Sequence, residues 1–181
     1  VQTAQQNPDF SILAAAVVRA DLATTLSGDG PFTVFAPSNA AFNTFLSANG
    51  FANIEAVPVP VLREVLLNHV VTGKVMADDL ETGYVKTLAK GSASSVNTLS
   101  MFVNVGNTVV LNGGTANGGA VVTTADVQAS NGVIHVVNGV IGLPSVVNHA
   151  IANPDFSTLV SALTRNDQPD FVSILSGDGP F

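Results

Sequence analysis

An α+β fold, helical first and mostly antiparallel sheet afterwards, follows from three observations on the 181-residue sequence. In the first half, apolar residues recur at three- and four-residue steps, the spacing of one buried helix face. From Tyr84 onward the period changes: short β-branched runs are divided by Gly and Asn, the signature of strands and turns. Third, a phrase from the opening returns a domain's length later, so one complete unit is followed by the start of another.

The elements follow in order. Asp9, after Pro8, is placed to cap a helix whose Phe10, Leu13 and Val17 face inward. The stretch DLATTLSGDGPF closes that region with Gly28 and Gly30. FTVFAP then alternates, with Phe32, Val34 and Ala36 on one face and Thr33 and Phe35 on the other, and Pro37 ends it as a strand. Ser38 is an N-cap for the helix NAAFNTFLSAN, whose Ala41, Phe42 and Phe45 face inward. Another helix, PVLREVLLNHVV, starts near Pro60, because a first-turn residue has no intrahelical partner for its N–H. KTLAKG, LSMFVNV, TVVLNG, GAVVTTADV and GVIHVVNGVI read as strands. Gly106-Asn107 and Asn131-Gly132 fit two-residue hairpin turns, which need positive φ. After Pro144 the pattern turns helical again.

Composition narrows the function classes. Hydrophobic residues make up 46% of the chain and charged residues only 10%, so a large core is available and disorder is not expected. The net charge is −7 with Lys plus Arg at 6, too few and too scattered to displace counterions from a nucleic acid or to hold an anionic bilayer. Without cysteine there is no disulfide, thiolate nucleophile or thiolate zinc site. Apolar runs such as Leu13 to Val18 are far too short to span a bilayer, so no direct membrane insertion is expected in this segment.

The repeat sets the domain plan. NPDFSILAAAVVRAD (Asn7 to Asp21) matches NPDFSTLVSALTRND (Asn153 to Asp167), and each leads into LSGDGPF. The plan is a complete domain over 1–148 and a helical N-terminal fragment of a second repeat over 149–181. The second SGDGPF, Ser176 to Phe181, stops before its strand, as expected for a piece of a longer tandem protein. The apolar faces of 149–181 are expected to dock on the first domain or on a neighbouring chain, a route to self-association through that tail.

Three phrases line up in order: PFTVFAPSNAAF, LLNHVVTGKV and ADVQASNGVIHVVNGVIGLP. Together they resemble the fasciclin-like (FAS1) domain family over residues 7 to about 146, and the opening helical part recurs over 151–181. The resemblance implies a FAS1-like fold, N-terminal helices packed on an antiparallel β-sheet wedge. It implies a non-enzymatic cell-adhesion or extracellular-matrix interaction module of a tandem-repeat protein, extracellular or at the cell surface, secreted or anchored. It implies no cofactor, and as partner a cell-surface or matrix protein or a polysaccharide. The sequence departs from the family pattern at three places. Asn39 and Ala40 stand where acidic residues often follow the cap, which weakens the helix-dipole interaction. Asn68 replaces the Tyr that often precedes the central His. Asp126-Val127 stands where some animal members carry an Asp-Ile pair linked to integrin binding, so an animal-type integrin site is not expected.

Candidate chemistry is sparse. His69, His135 and His149 are 66 and 14 residues apart, not the close pairing of histidine metal sites. His135 alternates with Val133 and Val137 and reads as a buried, hydrogen-bonded histidine; His69 reads the same way. His149, in the link between units, reads as solvated. The candidate interaction or structural motif is therefore His69, Asp126, Val127 and His135. Gly-x-Ser-x-Gly, Walker A and Gly-x-Gly-x-x-Gly are absent, so no catalytic or nucleotide site is expected. NGGTANGG reads as a hairpin loop, and Asp78, Asp79 and Glu81 as a solvated turn rather than a calcium site. The alternative function is a small-molecule or polysaccharide binding module using an apolar cleft between helices and sheet. One Tyr, Tyr84, and no Trp weigh against a sugar platform.

Overall fold

In the computed structural model, residues 6–92, 94–165, 167 and 169–177 are described. Helix α1 (Ser11–Arg19) is entered through a 3-10 turn, Pro8–Phe10. Asn7 rather than Asp9 caps that turn, its side chain accepting from the Asp9 N–H at 3.0 Å. Leu13, Ala16 and Val17 form the buried face of α1, and the short helix α2 (Ala23–Leu26) follows. Strand β1 (Phe32–Pro37) delivers the chain to helix α3 (Asn39–Ala48), which Ser38 caps by accepting from the Ala41 N–H. Helix α3 buries Ala41, Phe42 and Leu46, while Phe45 packs at the margin of the core.

Helix α4 (Val59–Leu67) carries Pro60 in its first turn but stops four residues before the run PVLREVLLNHVV does. Val70–Thr72 forms strand β2, antiparallel to β1, with Val34 opposite Val70. This corrects the reading of LLNHVV as helix: β-branched Val70 and Val71 suit the pleated surface, and β1 supplies the partner that a local pattern cannot show.

The remaining strands are β3 (Gly83–Lys86), β4 (Ser100–Val105), β5 (Val109–Leu111), β6 (Ala120–Ala129) and β7 (Gly132–Val137). KTLAKG is thus mostly not a strand: only Lys86 belongs to β3, and Thr87 makes an isolated bridge to Val71. Both hairpins shift from their sequence reading. The β4–β5 loop holds three residues, since Val105 pairs with Val109. The β6–β7 loop is Ser130-Asn131, since Ala129 pairs with Gly132.

The seven strands run in the order β2-β1-β7-β6-β5-β4-β3. All neighbours are antiparallel except β1 and β7, which run parallel from Phe32 opposite Gly132 to Pro37 opposite Val137. The expected antiparallel wedge is therefore a mixed sheet. Parallel neighbours need a long crossover, and here most of the domain lies between them, so no turn motif announces the pairing. One core joins α1, α3 and α4 through Leu13, Val17, Phe42, Leu46, Leu62 and Leu66. A second lies around the sheet, with Phe35, Met101, Val103, Leu111, Val137 and Ile141.

Helix α5 (Val146–Ala152) opens with a reciprocal capping box between Ser145 and Asn148. It runs across the expected boundary at 148/149, so that division falls inside a helix. Beyond it come a 3-10 turn Pro154–Phe156, helix α6 (Ser157–Leu163) and helix α7 (Phe171–Leu175). Asn153 caps its turn as Asn7 does, accepting from the Asp155 N–H at 3.0 Å. The burial differs: Leu13 is 7% exposed, while Leu159, at the matching position of the repeat, is 49% exposed. The last four letters of the second SGDGPF lie outside the described residues.

Candidate functional site

The SGDGPF segment around Ser27 to Phe32 forms a joint against the β6–β7 hairpin. The Asn131 amide donates to the carbonyls of Leu26 and Gly28 at 2.9 and 3.1 Å. The Phe32 N–H donates to the Asn131 carbonyl at 3.0 Å. Backbones meet so closely there that a Cβ on Gly30 would lie 2.2 Å from the Asn131 oxygen, and one on Gly132 1.9 Å from the Phe32 oxygen. The two glycines are required by close contact between two backbone segments rather than by a ligand.

His69, just past the end of α4, is buried, with both ring nitrogens engaged. Nδ1–H donates to the Val65 carbonyl at 2.7 Å, and Nε2 accepts from the Ile141 N–H at 2.9 Å. Burial pushes its pKa down to about 4, with the Val65 carbonyl pulling weakly the other way. Its neighbour Asn68 donates to the Gly142 carbonyl at 2.8 Å and accepts from the Thr87 hydroxyl at 3.1 Å. Asn68 and His69 together pin the segment after β7 to the end of α4.

His135 in β7 is bonded in the same manner. Nε2–H donates to the Val75 carbonyl at 3.0 Å, and Nδ1 accepts from the Asp126 N–H at 3.3 Å. Its ring packs on Phe35 with centroids 5.5 Å apart. The Asp126 carboxylate lies 3.9 Å from Nδ1 and accepts from the Ala77 N–H at 2.9 Å. Asp126 sits within a register shift of β6 at φ 62°, a left-handed conformation that Asp tolerates better than most residues. The structure therefore brings Asp126 and His135 together and uses both to hold the segment 75–77. Val127 turns the other way, into a cleft, and His69 stands apart from the Asp126–His135 pair.

Two residues behave otherwise than the sequence indicates. His149 is not a solvated link residue: it lies half-buried in α5 against Tyr84, with ring centroids 5.6 Å apart, and burial lowers its pKa. Asn39 does more than decline a favourable dipole interaction. Its side chain accepts from the Ile12 N–H at 3.0 Å and donates to the Pro8 carbonyl and the Ser11 hydroxyl at 2.9 and 3.0 Å. It thereby clamps the start of α3 to the start of α1, a role visible in sequence only as an amide directly after a cap.

Among the described residues, no group of three or more His, Asp or Glu stands together as a metal-ligand set. No helix there is long and apolar enough to cross a membrane. A cleft of about 350 Å³ lies between α1 and α2 on one side and β1, β7 and β6 on the other. Its floor includes Leu66, His69 and Val70, and its mouth Asn7, Asp9 and Thr124.

A family model described as the Fasciclin domain matches residues 8–144. Protein sll1483 of Synechocystis is 41% identical over 145 residues, covering 78% of this chain and 71% of that protein. Protein sll1735 of the same organism is 32% identical over 141 residues, covering 78% of this chain and 95% of its own length. The transforming growth factor-beta-induced protein ig-h3 of Sus scrofa is 31% identical over 129 residues, which are 71% of this chain and 17% of the relative. Among solved structures, a FAS1 domain pair from the insect cell adhesion molecule Fasciclin I superposes with a TM-score of 0.53 at 20% identity. It covers 83% of this chain and 48% of that one.

Proposed function

This chain belongs to the fasciclin domain family, and on that premise we propose that it is a non-enzymatic adhesion module working outside the cell or at its surface. The observation that carries the reading is that both buried histidines spend both ring nitrogens on backbone groups. They hold the scaffold and leave recognition to its outer surface. The adhesion context comes from the family, since the related domain pair is from a cell adhesion molecule. The partner is a cell-surface or matrix protein or a polysaccharide. Beads coated with the protein are expected to be retained on panels of immobilised matrix proteins and polysaccharides above albumin-coated beads. No retention on any surface, by the folded chain or by two copies joined in tandem, would sink the reading.

Residues 149–181 are proposed as the opening of a second repeat, able to bring chains together through its apolar face. The matching caps at Asn7 and Asn153 support this, as does the exposure of Leu159. A second reading, binding of a small molecule, is favoured by the cleft beside α1. Polysaccharide does not suit that cleft, because sugar hydroxyls need hydrogen-bonding partners that its apolar floor lacks.

A further inference from the structure

We infer that the cleft between α1 and strands β1, β7 and β6 binds an uncharged, mostly hydrocarbon small molecule with at most one polar end. This rests on the small-molecule reading and gives it a ligand class. Strands β1 and β7 are interior strands of the sheet, paired on both sides. On such strands the helix-facing side chains are ordinarily covered. Here Val34, Ile134 and Val136 are only half-buried and face the cleft opposite Phe10 and Leu13. The volume of about 350 Å³ falls at the small end of the range for drug-sized ligands, about 300–1,000 Å³.

The lining chooses among ligands. A water needs two to four polar partners to be held in a buried site. The floor offers aliphatic Leu66, Val70, Val34 and Ile134, and a histidine whose two ring nitrogens are already bonded. Water is therefore held weakly there, and an apolar occupant displaces it without losing hydrogen bonds. Polar atoms gather only at the mouth, from Asn7, Asp9, Thr124 and Asn131. Among the described residues the lining has no Lys or Arg, and Asp9 is its one carboxylate. An anionic headgroup would meet a like charge with no cation to offset it. The occupant is consequently neutral: a medium-chain alcohol rather than the corresponding carboxylate.

The test uses the full chain and an uncharged, polarity-sensitive dye, Nile red. Saturable uptake by one site with a blue-shifted emission is expected. Displacement by 1-decanol should need at least about tenfold less competitor than displacement by decanoate near neutral pH. Val136→Phe, filling the cleft, and Thr124→Trp, narrowing its mouth at an exposed position, should each weaken the dye by about tenfold or more. Both should keep the far-UV circular dichroism of the parent. Val96→Phe, at a residue 79% exposed and outside the cleft lining, should bind as the parent does. Absence of saturable uptake would overturn both the ligand class and the small-molecule reading. So would folded Thr124→Trp protein that binds unchanged. Equal competition by decanoate would overturn the ligand class alone and leave that reading standing.

Discussion

Acid should loosen this fold through His69. In the unfolded chain its pKa is 6.5; in the fold, burial lowers it to about 4. Between those values the unfolded chain binds a proton that the folded chain refuses, so stability falls as pH falls through that window. The contribution is fully present above the unfolded pKa. Holding a pKa of about 4 is worth about 3 kcal/mol in full, of which about 2 kcal/mol is lost between about pH 7 and about pH 5. The structure gives a second reason for the direction. Nε2 accepts from the Ile141 N–H, so a proton on Nε2 would set two donors against each other. The assay is urea unfolding followed by far-UV circular dichroism, since the chain has no Trp. His69→Gln is the reference, because it cannot titrate. Every other ionisable group, His149 included, is common to both proteins and cancels in the difference. The variant should be less stable near neutrality by about 1–3 kcal/mol, the cost of a disturbed buried hydrogen-bond pair. The gap between parent and variant should shrink by about 2 kcal/mol on going to about pH 5. A gap that stays constant over that range would refute the linkage.

Other outcomes follow from single contacts. Gly132→Ala places a methyl group 1.9 Å from the Phe32 carbonyl; forcing β1 from β7 should cost more than about 4 kcal/mol, read as loss of soluble, cooperatively unfolding protein. Asn39→Ala removes the clamp between α1 and α3 and should lower urea stability by about 1–2 kcal/mol, with amide exchange speeding up first at Ile12. Replacing residues 7–19 by the sequence of 153–165 should give a folded domain within about 2 kcal/mol of the parent. The matching positions keep the Leu and Ala of the buried face and change Val17 only to Leu. A chimera that does not fold would refute the proposal that the tail opens a second repeat.

Much of the fold was legible because it is local. Ser38 and the helix after it, the inward face of α1, and the strand FTVFAP all declare themselves within a dozen residues. What stayed hidden depends on partners far along the chain. Val70 and Val71 continue the apolar pattern of α4, and only pairing with β1 makes them strand. The parallel β1–β7 match joins residues about 100 apart and leaves no turn to read. His69 and His135 were readable as buried, but their partners, Ile141 and Val75, were not. A cleft between helices and sheet could be named from the sequence, but not its lining, for a related reason: alternation shows that Val34 and Val136 point to one face, not whether anything covers it.

The low charge of the chain and its many buried contacts are one solution. With charged residues at 10%, side-chain amides do much of the work of satisfying backbone groups. Asn112 accepts from the Phe102 N–H at 2.8 Å, and Asn138 from the Val121 N–H at 2.8 Å. Asn131 holds the repeated joint, Asn68 the end of α4, and Asn148 the box at α5. An amide supplies donor and acceptor together and carries no ionic desolvation cost. A scaffold pinned this way responds little to salt, because salt screens charges rather than neutral hydrogen bonds. It follows that salt should separate the two kinds of binding. Retention on a charged matrix should fall as salt rises, whereas uptake of an uncharged dye into the cleft beside α1 should hold or strengthen. Dye uptake that collapses in salt would refute binding among Val34, Ile134 and Val136.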